Sequence, residues 1–218
     1  MTLSSMFLRC ISRSYLRAPG QIDYAIDLIG DHLYIYFQDS DGALDWIRNF
    51  NFLATAVRRI REPVWYAHRG FLAAWRSVEN KILPMISDES VRRITVVGYS
   101  HGAALALLCH EAVWYHRPDL RMTSEGYGFG CPRVLWGRPP QDISARWRKF
   151  TVIRNVDDIV THVPPRVLGY VHVGKMLTVG TAGKYSAVDA HRPQSILKEL
   201  HICESHVDRT KTVDGANF

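Results

Sequence analysis

The sequence predicts an α/β sandwich, in which helices cover a β-sheet on both faces. Segments with strand character alternate along the chain with segments of helical periodicity. A β-branched run at 94–97 leads into a glycine-flanked serine and then into a small-residue helical segment at 103–114. The 218 residues, 47% of them hydrophobic, are enough for one domain with a sizeable core. We therefore expect a single domain over residues 1–218, without internal repeats or a domain boundary.

The remaining elements follow from hydrophobic periodicity and turn residues. Residues 22–28 and 32–37 predict a β-hairpin around Gly30 and Asp31. The stretch from Trp46 to Leu53 predicts an apolar helix, and residues 1–17 are best interpreted as a plain N-terminal helix. The other predicted elements are a strand at 63–68, a helix at 70–85, strands at 126–130, 150–153, 170–173 and 176–179, and a closing helix at 193–203.

The charge of the chain gives no sign of a nucleic-acid partner. The formal net charge is +6, but lysines and arginines are spread along the chain. The densest cluster, Arg58-Arg59-Ile60-Arg61, is short and not interleaved with aromatic residues. It predicts a solvated face, with attraction to an anionic lipid surface as the second interpretation.

The cysteines and residues 1–17 give information about the cellular compartment of the protein. The four cysteines have no metal-binding or redox spacing, and Cys109 and Cys131 are expected to be buried thiols. Residues 1–17 lack the uninterrupted apolar core of a secretory signal, and no run reaches transmembrane length. These observations favour the cytoplasm and leave the true location open.

The pattern Gly98-x-Ser100-x-Gly102 predicts a nucleophile at a tight turn between a strand and a helix. Such a turn holds the serine in strained backbone geometry, and side chains two residues before and after it would collide. The start of the following helix would aim backbone N–H groups at a reacting carbonyl. The alternative is an ordinary Gly-Ser turn.

Six segments, in this order along the chain, together resemble the class 3 lipases, the fungal-type triacylglycerol lipase family of the α/β-hydrolase fold. This resemblance implies a mostly parallel central sheet, a short lid, and a serine ester hydrolase that needs no metal or cofactor. It also implies lipid or other ester substrates and peripheral contact with a lipid interface. The segments are Phe37-x-x-Ser40-x-x-x-x-Asp45-Trp46, His68-Arg69-Gly70-Phe71-Leu72-x-x-Trp75, residues 96–106, residues 128–134, Asn155-x-x-Asp158-Ile159-Val160-x-x-Val163-Pro164-Pro165 and Tyr170-x-His172-x-Gly174.

A serine nucleophile needs a histidine base and a carboxylate that orients it, in the chain order Ser, Asp, His. The resemblance favours Asp158 as the acid because it directly precedes Ile159-Val160, with Asp157 as its rival. His191, in a loop before the last helix, occupies the place of the family's base, although Ala190 separates it from Asp189. His162 is too near the acid to serve, and the resemblance makes His172 and His68 non-catalytic. His201 and His206 are the remaining candidates.

The oxyanion hole is expected to use the backbone N–H of His101 and a donor from Ser40, where Gln38-Asp39 replaces the family's usual Arg-Gly. Trp46 and Phe50 are expected either in the lid or in the core. Within the enzyme class, phospholipase A1 and feruloyl esterase activities stay open. Outside it, the alternative is an inactive lipase-like binding or signalling protein.

Overall fold

The computed structural model describes residues 1–18, 22–38 and 52–214, with side chains up to residue 206. The helices in these ranges are α1 (Leu3–Ile11), α2 (Arg69–Ile86), α3 (His101–His116), α4 (Gln141–Ala145) and α5 (Pro193–Asp214). The strands are β1 (Leu16–Ala18), β2 (Ile22–Ile29), β3 (His32–Gln38), β4 (Ala54–Val57), β5 (Trp65–His68), β6 (Arg93–Tyr99), β7 (Glu125–Phe129), β8 (Leu135–Trp136), β9 (Phe150–Asn155), β10 (Tyr170–Val171) and β11 (Lys175–Val179).

A mixed central sheet organises the described part of the chain. Its seven strands lie in the order β1-β2-β3-β6-β7-β9-β11. β1, β2 and β3 pair antiparallel, whereas β3, β6, β7, β9 and β11 run parallel, so the sheet is mostly parallel as predicted. Because the carboxyl ends of parallel strands share one edge, the segments that follow β6, β9 and β11 meet there.

Side-chain alternation along β6 divides the core into two layers. Ile94 and Val96 pack with α2 and α3 on one face of the sheet. Val97 and Tyr99 pack with α1 and α5 on the other face. α3 is buried without interruption from Gly102 to Val113 because it lies between the sheet and α2, which explains its apolar and small residues on every side.

The predicted hairpin, N-terminal helix and closing helix are present. β2 and β3 pair antiparallel around Gly30, whose φ of 62° suits glycine. The N-terminal helix ends at Ile11, earlier than predicted, because the chain continues into β1. α5 runs on to Asp214, beyond the predicted end at residue 203, through polar residues that show no apolar periodicity.

Several short elements of the structure were not predicted from the sequence. β4 and β8 join β5 and β10 in a second sheet of the order β10-β8-β5-β4, and α4 is only five residues long. Two- to four-residue strands are too short to show alternation. Of the helix predicted from Trp46, residues 46–51 lie outside the described residues, and Phe52 and Leu53 are not helical.

A buried ion-pair network corrects the prediction for the basic run at 58–61. Arg58 and Arg61 are exposed, but Arg59 is half-buried and donates to Glu111 Oε2 at 2.8 Å. Glu111 Oε1 accepts from Arg146 Nη1 at 2.5 Å, and both residues are at most 2% exposed. Arg146 Nη2 also donates to Glu62 at 2.6 Å. The network ties α3 to the segment between α4 and β9 and to the β4–β5 connection.

Replacing Arg146 with leucine should lower the free energy of unfolding by about 3 kcal/mol or more, because it leaves a buried carboxylate short of its partner. Arg148→Leu is the matched control. Arg148 is exposed and forms no ion pair among the described side chains, so its loss should cost less than about 0.5 kcal/mol. Urea unfolding of the two variants measures the difference, and equal losses would contradict a stabilising role for this network.

Candidate active site

Ser100 lies on the turn between β6 and α3. Its φ of 57° and ψ of −126° are strained for a residue with a side chain. A Cβ on Gly98 would stand 2.2 Å from the carbonyl oxygen of Gly102, and a Cβ on Gly102 would stand 2.4 Å from that of Phe37. Only glycine fits at these two positions, so the strand–turn–helix arrangement predicted around Ser100 is present for the predicted steric reason.

Ser100, His191 and Asp158 form one chain of hydrogen bonds at the carboxyl edge of the sheet. His191 Nε2 lies 2.8 Å from Ser100 Oγ, and His191 Nδ1 lies 2.8 Å from Asp158 Oδ2. Because a carboxylate only accepts, the Nδ1–H donates to Asp158 and Nε2 is left to accept from the serine hydroxyl. Ser100 and Asp158 have no exposed surface and His191 is 5% exposed. The structure thus brings together the three residues predicted as nucleophile, base and acid.

The carboxylate of Asp158 is held on both oxygens. While Oδ2 faces His191, Oδ1 accepts from the backbone N–H of Val160 at 2.9 Å. Thr161 Oγ1 donates to the carbonyl oxygen of Asp158 at 2.8 Å. The bond from Val160 forms because Asp158 caps a short 3₁₀ helix, Ile159–His162, and it prevents the carboxylate from rotating away from the imidazole. The bond from Thr161 holds the backbone of Asp158 in place.

Asp157, the rival acid, points elsewhere. Its two oxygens accept from the backbone N–H groups of Gly183 and Tyr185 at 3.0 and 3.3 Å. It therefore fastens the segment that follows β11 and leads to His191. The two neighbouring aspartates therefore have different contacts. Asp158 contacts the imidazole, and Asp157 contacts the loop that carries it.

Glu199 on α5 fastens the same loop from the other side. Its Oε1 accepts from Lys184 Nζ at 2.5 Å and from Tyr185 Oη at 2.7 Å. Burial alone would raise the pKa of Glu199, but these hydrogen bonds outweigh burial and hold that pKa below its usual value. The loop before His191 is thus fixed by the carboxylates of Asp157 and Glu199.

Tyr99 and Gly130 shape the space around the imidazole, and sequence reasoning assigned neither a role. The Tyr99 ring stacks on His191 with centroids 5.1 Å apart, and its hydroxyl donates to the His191 carbonyl oxygen at 2.7 Å. A Cβ on Gly130 would stand 2.6 Å from His191 Cε1. Two features of the sequence could have indicated these roles. Tyr99 directly precedes the serine, and Gly130 lies within the motif at 128–134.

The competing histidines are placed away from the serine hydroxyl. His162 is exposed, and His201 and His206 are exposed on α5. His172 Nε2 donates to the carbonyl oxygen of Thr161 at 2.8 Å. Sequence reasoning made His68 structural, and its Nδ1 accepts from the Phe71 N–H at the start of α2.

The expected oxyanion and lid residues lie mostly outside the described residues. This holds for Ser40, Trp46 and Phe50. His101 is the first residue of α3, directly after Ser100, as expected. The end of β3 also reaches the turn, since the backbone nitrogen of Gln38 lies 2.8 Å from the position of a Cβ on Gly102.

Among the described residues, no three His, Cys, Asp or Glu side chains are grouped so as to hold a metal ion. None of the helices in the described ranges combines the length and apolar character that a membrane span requires. Cys109 and Cys131 are buried free thiols, as predicted.

In sequence, the chain is similar to known lipases. A family model described as Lipase (class 3) matches residues 34–168, more than half of the chain. A lipase from Rhizomucor miehei is 27% identical over 148 residues, which cover 66% of this chain and 40% of that protein. A secreted mono- and diacylglycerol lipase from Malassezia globosa is 35% identical over 116 residues, which cover 47% of this chain and 35% of that protein.

The fold has relatives among solved structures as well. Lipase II from Rhizopus niveus superimposes with a TM-score of 0.68 at 20% identity, over 77% of this chain and 66% of that structure. This likeness confirms the predicted α/β-hydrolase fold. The chain spans less than half the length of the two relatives found by sequence.

Replacing Asp158 with asparagine should reduce turnover of p-nitrophenyl butyrate about 10,000-fold, because the amide would favour the wrong imidazole tautomer. Asp157→Asn is the matched control. It weakens one loop hydrogen bond and should cost at most about tenfold. Steady-state kinetics of both variants decide the assignment, and the reverse ranking would make Asp157 the acid.

His191→Ala should reduce the same turnover about a millionfold, as far as loss of the serine, because triad members act as a unit. His201→Ala and His206→Ala remove exposed imidazoles of α5 and should leave turnover nearly unchanged. A loss in either control comparable to that in His191→Ala would show that another histidine serves as the base.

Proposed function

Because the chain belongs to the class 3 lipase family, we propose that it is a serine ester hydrolase that cleaves acylglycerols or other lipid esters. The observation that carries the proposal is the hydrogen-bonded chain from Ser100 through His191 to Asp158. The same arrangement argues against an inactive binding or signalling protein, which has no use for a buried, fully oriented triad.

In the proposed reaction, Ser100 Oγ attacks the ester carbonyl while His191 Nε2 takes the serine proton. Asp158 holds the imidazole in the required tautomer and stabilises the positive charge that develops on it. His191 then returns the proton to the departing alcohol, which leaves an acyl group on Ser100. A water molecule, deprotonated by the same nitrogen, releases the carboxylic acid and restores the serine.

The negative charge of the tetrahedral intermediate needs hydrogen-bond donors. We assign one to the backbone N–H of His101, because this residue opens α3 directly after the nucleophile. The second is assigned to Ser40, two residues beyond the end of β3, which itself reaches the turn. Each donor is expected to contribute about 3 kcal/mol in the transition state.

The surroundings of the triad support a lipid substrate. Ile159 and Val188 lie in the segments that carry Asp158 and His191, and they are 38% and 40% exposed. The Ile159 N–H donates to the Ala187 carbonyl oxygen at 3.2 Å, so the two segments lie side by side. Exposed apolar side chains in the two segments that carry the acid and the base suit acyl chains and peripheral contact with a lipid surface. Since Ser100 has no exposed surface, neighbouring groups must move before an ester can reach it.

Labelling by a fluorophosphonate probe tests the nucleophile. Ser100→Ala should abolish labelling and lower hydrolysis of p-nitrophenyl butyrate about a millionfold, while circular dichroism stays unchanged. His206→Ala should be labelled like the parent protein. Absence of labelling in the parent protein would favour the inactive binding protein, and near-parental turnover by Ser100→Ala would overturn the enzymatic account.

A substrate panel separates the activities within the class. Tributyrin, a longer triacylglycerol emulsion, a phosphatidylcholine and a feruloyl ester are compared at equal enzyme concentration. We expect the acylglycerols to give the highest kcat/KM. Preferential release of the first acyl chain of phosphatidylcholine would instead assign phospholipase A1 activity, and preference for the feruloyl ester would assign a feruloyl esterase.

A further inference from the structure

A groove of about 780 Å³ lies apart from the triad. It is formed by the β8–α4 linker with α4, the residues just before β9, and the β10–β11 connection. Its cationic lining residues are Arg138, Arg148, Lys149 and Lys175, and its neutral polar ones are Gln141, Ser144 and His172. No carboxylate lines the groove among the described residues.

The four cations of the groove pair with no carboxylate in the part of the chain that the structure describes. None of them forms an ion pair with a described carboxylate, whereas other exposed arginines do, as Arg17 pairs with Asp23 and Arg192 with Asp189. The cause lies in the local sequence. Between residues 133 and 175 the chain has eight basic residues and three acidic ones, and two of the three acids are committed to the active site and its loop.

His172 adds a buried acceptor to the wall of the groove. Its Nε2 donates to the Thr161 carbonyl oxygen, so in the neutral ring Nδ1 carries the lone pair. Nδ1 is buried and has no hydrogen-bond partner among the described residues. Burial, with a smaller contribution from Arg133 and Arg154, lowers the pKa of His172 to about 4. At neutral pH the ring therefore adds no positive charge to the groove.

We propose that this groove binds a phosphate ester, free or as the headgroup of a lipid. Arginine forks and lysine ammonium groups are the usual partners of phosphate oxygens, and four of them without counter-ions suit a charge of −1 or −2. The apolar lining, Pro139, Ala145, Val171 and Val173, suits the carbon part of such a ligand.

This site is separate from the ester-cleaving one. Lys149 and Lys175 stand at the amino ends of β9 and β11, while Asp158 and His191 follow the carboxyl ends of the same strands. A six-residue strand is about 20 Å long, so a phosphate between these lysines is not the ester held at Ser100. Binding in the groove can therefore be tested independently of the proposed hydrolysis.

The test compares two double variants that lose the same charge. Lys149→Gln with Lys175→Gln alters the groove, and Lys81→Gln with Lys198→Gln removes two exposed lysines elsewhere. All proteins carry Ser100→Ala so that lipid probes are not consumed. Titration calorimetry with glycerol 3-phosphate, and sedimentation with phosphatidylcholine vesicles with and without phosphatidylglycerol, measure binding. We expect the groove variant to bind at least about tenfold more weakly, and the control variant to change less than about twofold.

The outcomes discriminate between the sources of the phosphate. If the groove variant alone binds glycerol 3-phosphate more weakly, the ligand is a soluble phosphate ester. If the groove variant alone binds more weakly, and does so only with phosphatidylglycerol vesicles, the ligand is a lipid headgroup. Equal weakening of both variants shows attraction by diffuse charge and overturns the proposal, as does absence of binding to either probe. Unchanged circular dichroism verifies folding, and Arg138→Gln with Arg148→Gln replaces the lysine variant if that one fails to fold.

Discussion

The close approach of Gly98, Gly102 and the end of β3 is the constraint on which the site depends. A Cβ at either glycine would lie within 2.4 Å of a backbone oxygen, so the turn can close only with hydrogen at both positions. Closure holds Ser100 at a φ of 57° and starts α3 directly behind it. Burial of α3 between the sheet and α2 supplies the stability that sustains this strained turn.

Carboxylates then determine where the imidazole lies. Asp158 receives the Nδ1–H of His191, Asp157 receives two backbone N–H groups of the following loop, and Glu199 receives that loop's side chains. Each acid lies on a different part of the fold or faces a different partner, so none replaces another. The pair formed by Ser100 and His191 therefore depends on β6, β9 and α5 together.

The charges of the chain are used in two opposite ways. Around Glu111 and Arg146 they are paired and buried, and they join segments far apart in sequence. Around Lys149 and Lys175 they pair with no described carboxylate, and they line a groove at the surface. The first arrangement stabilises the fold, whereas the second is available to an anionic ligand. The net charge of +6 does not reveal which charges are paired in the core and which line the groove.

Local features of the sequence determined the fold class, the hairpin and the serine turn, because alternation, Gly30 and the two elbow glycines act between near neighbours in the chain. Chain order and motifs also indicated Asp158 and His191. Only the tertiary structure showed what Asp157 contacts instead, placed Tyr99 against the imidazole, and gathered the groove lysines. It also showed β4 and β8, which are too short for a periodic pattern. Contacts such as that between Ser100 and His191 join residues 91 positions apart, and no local pattern encodes such a distance.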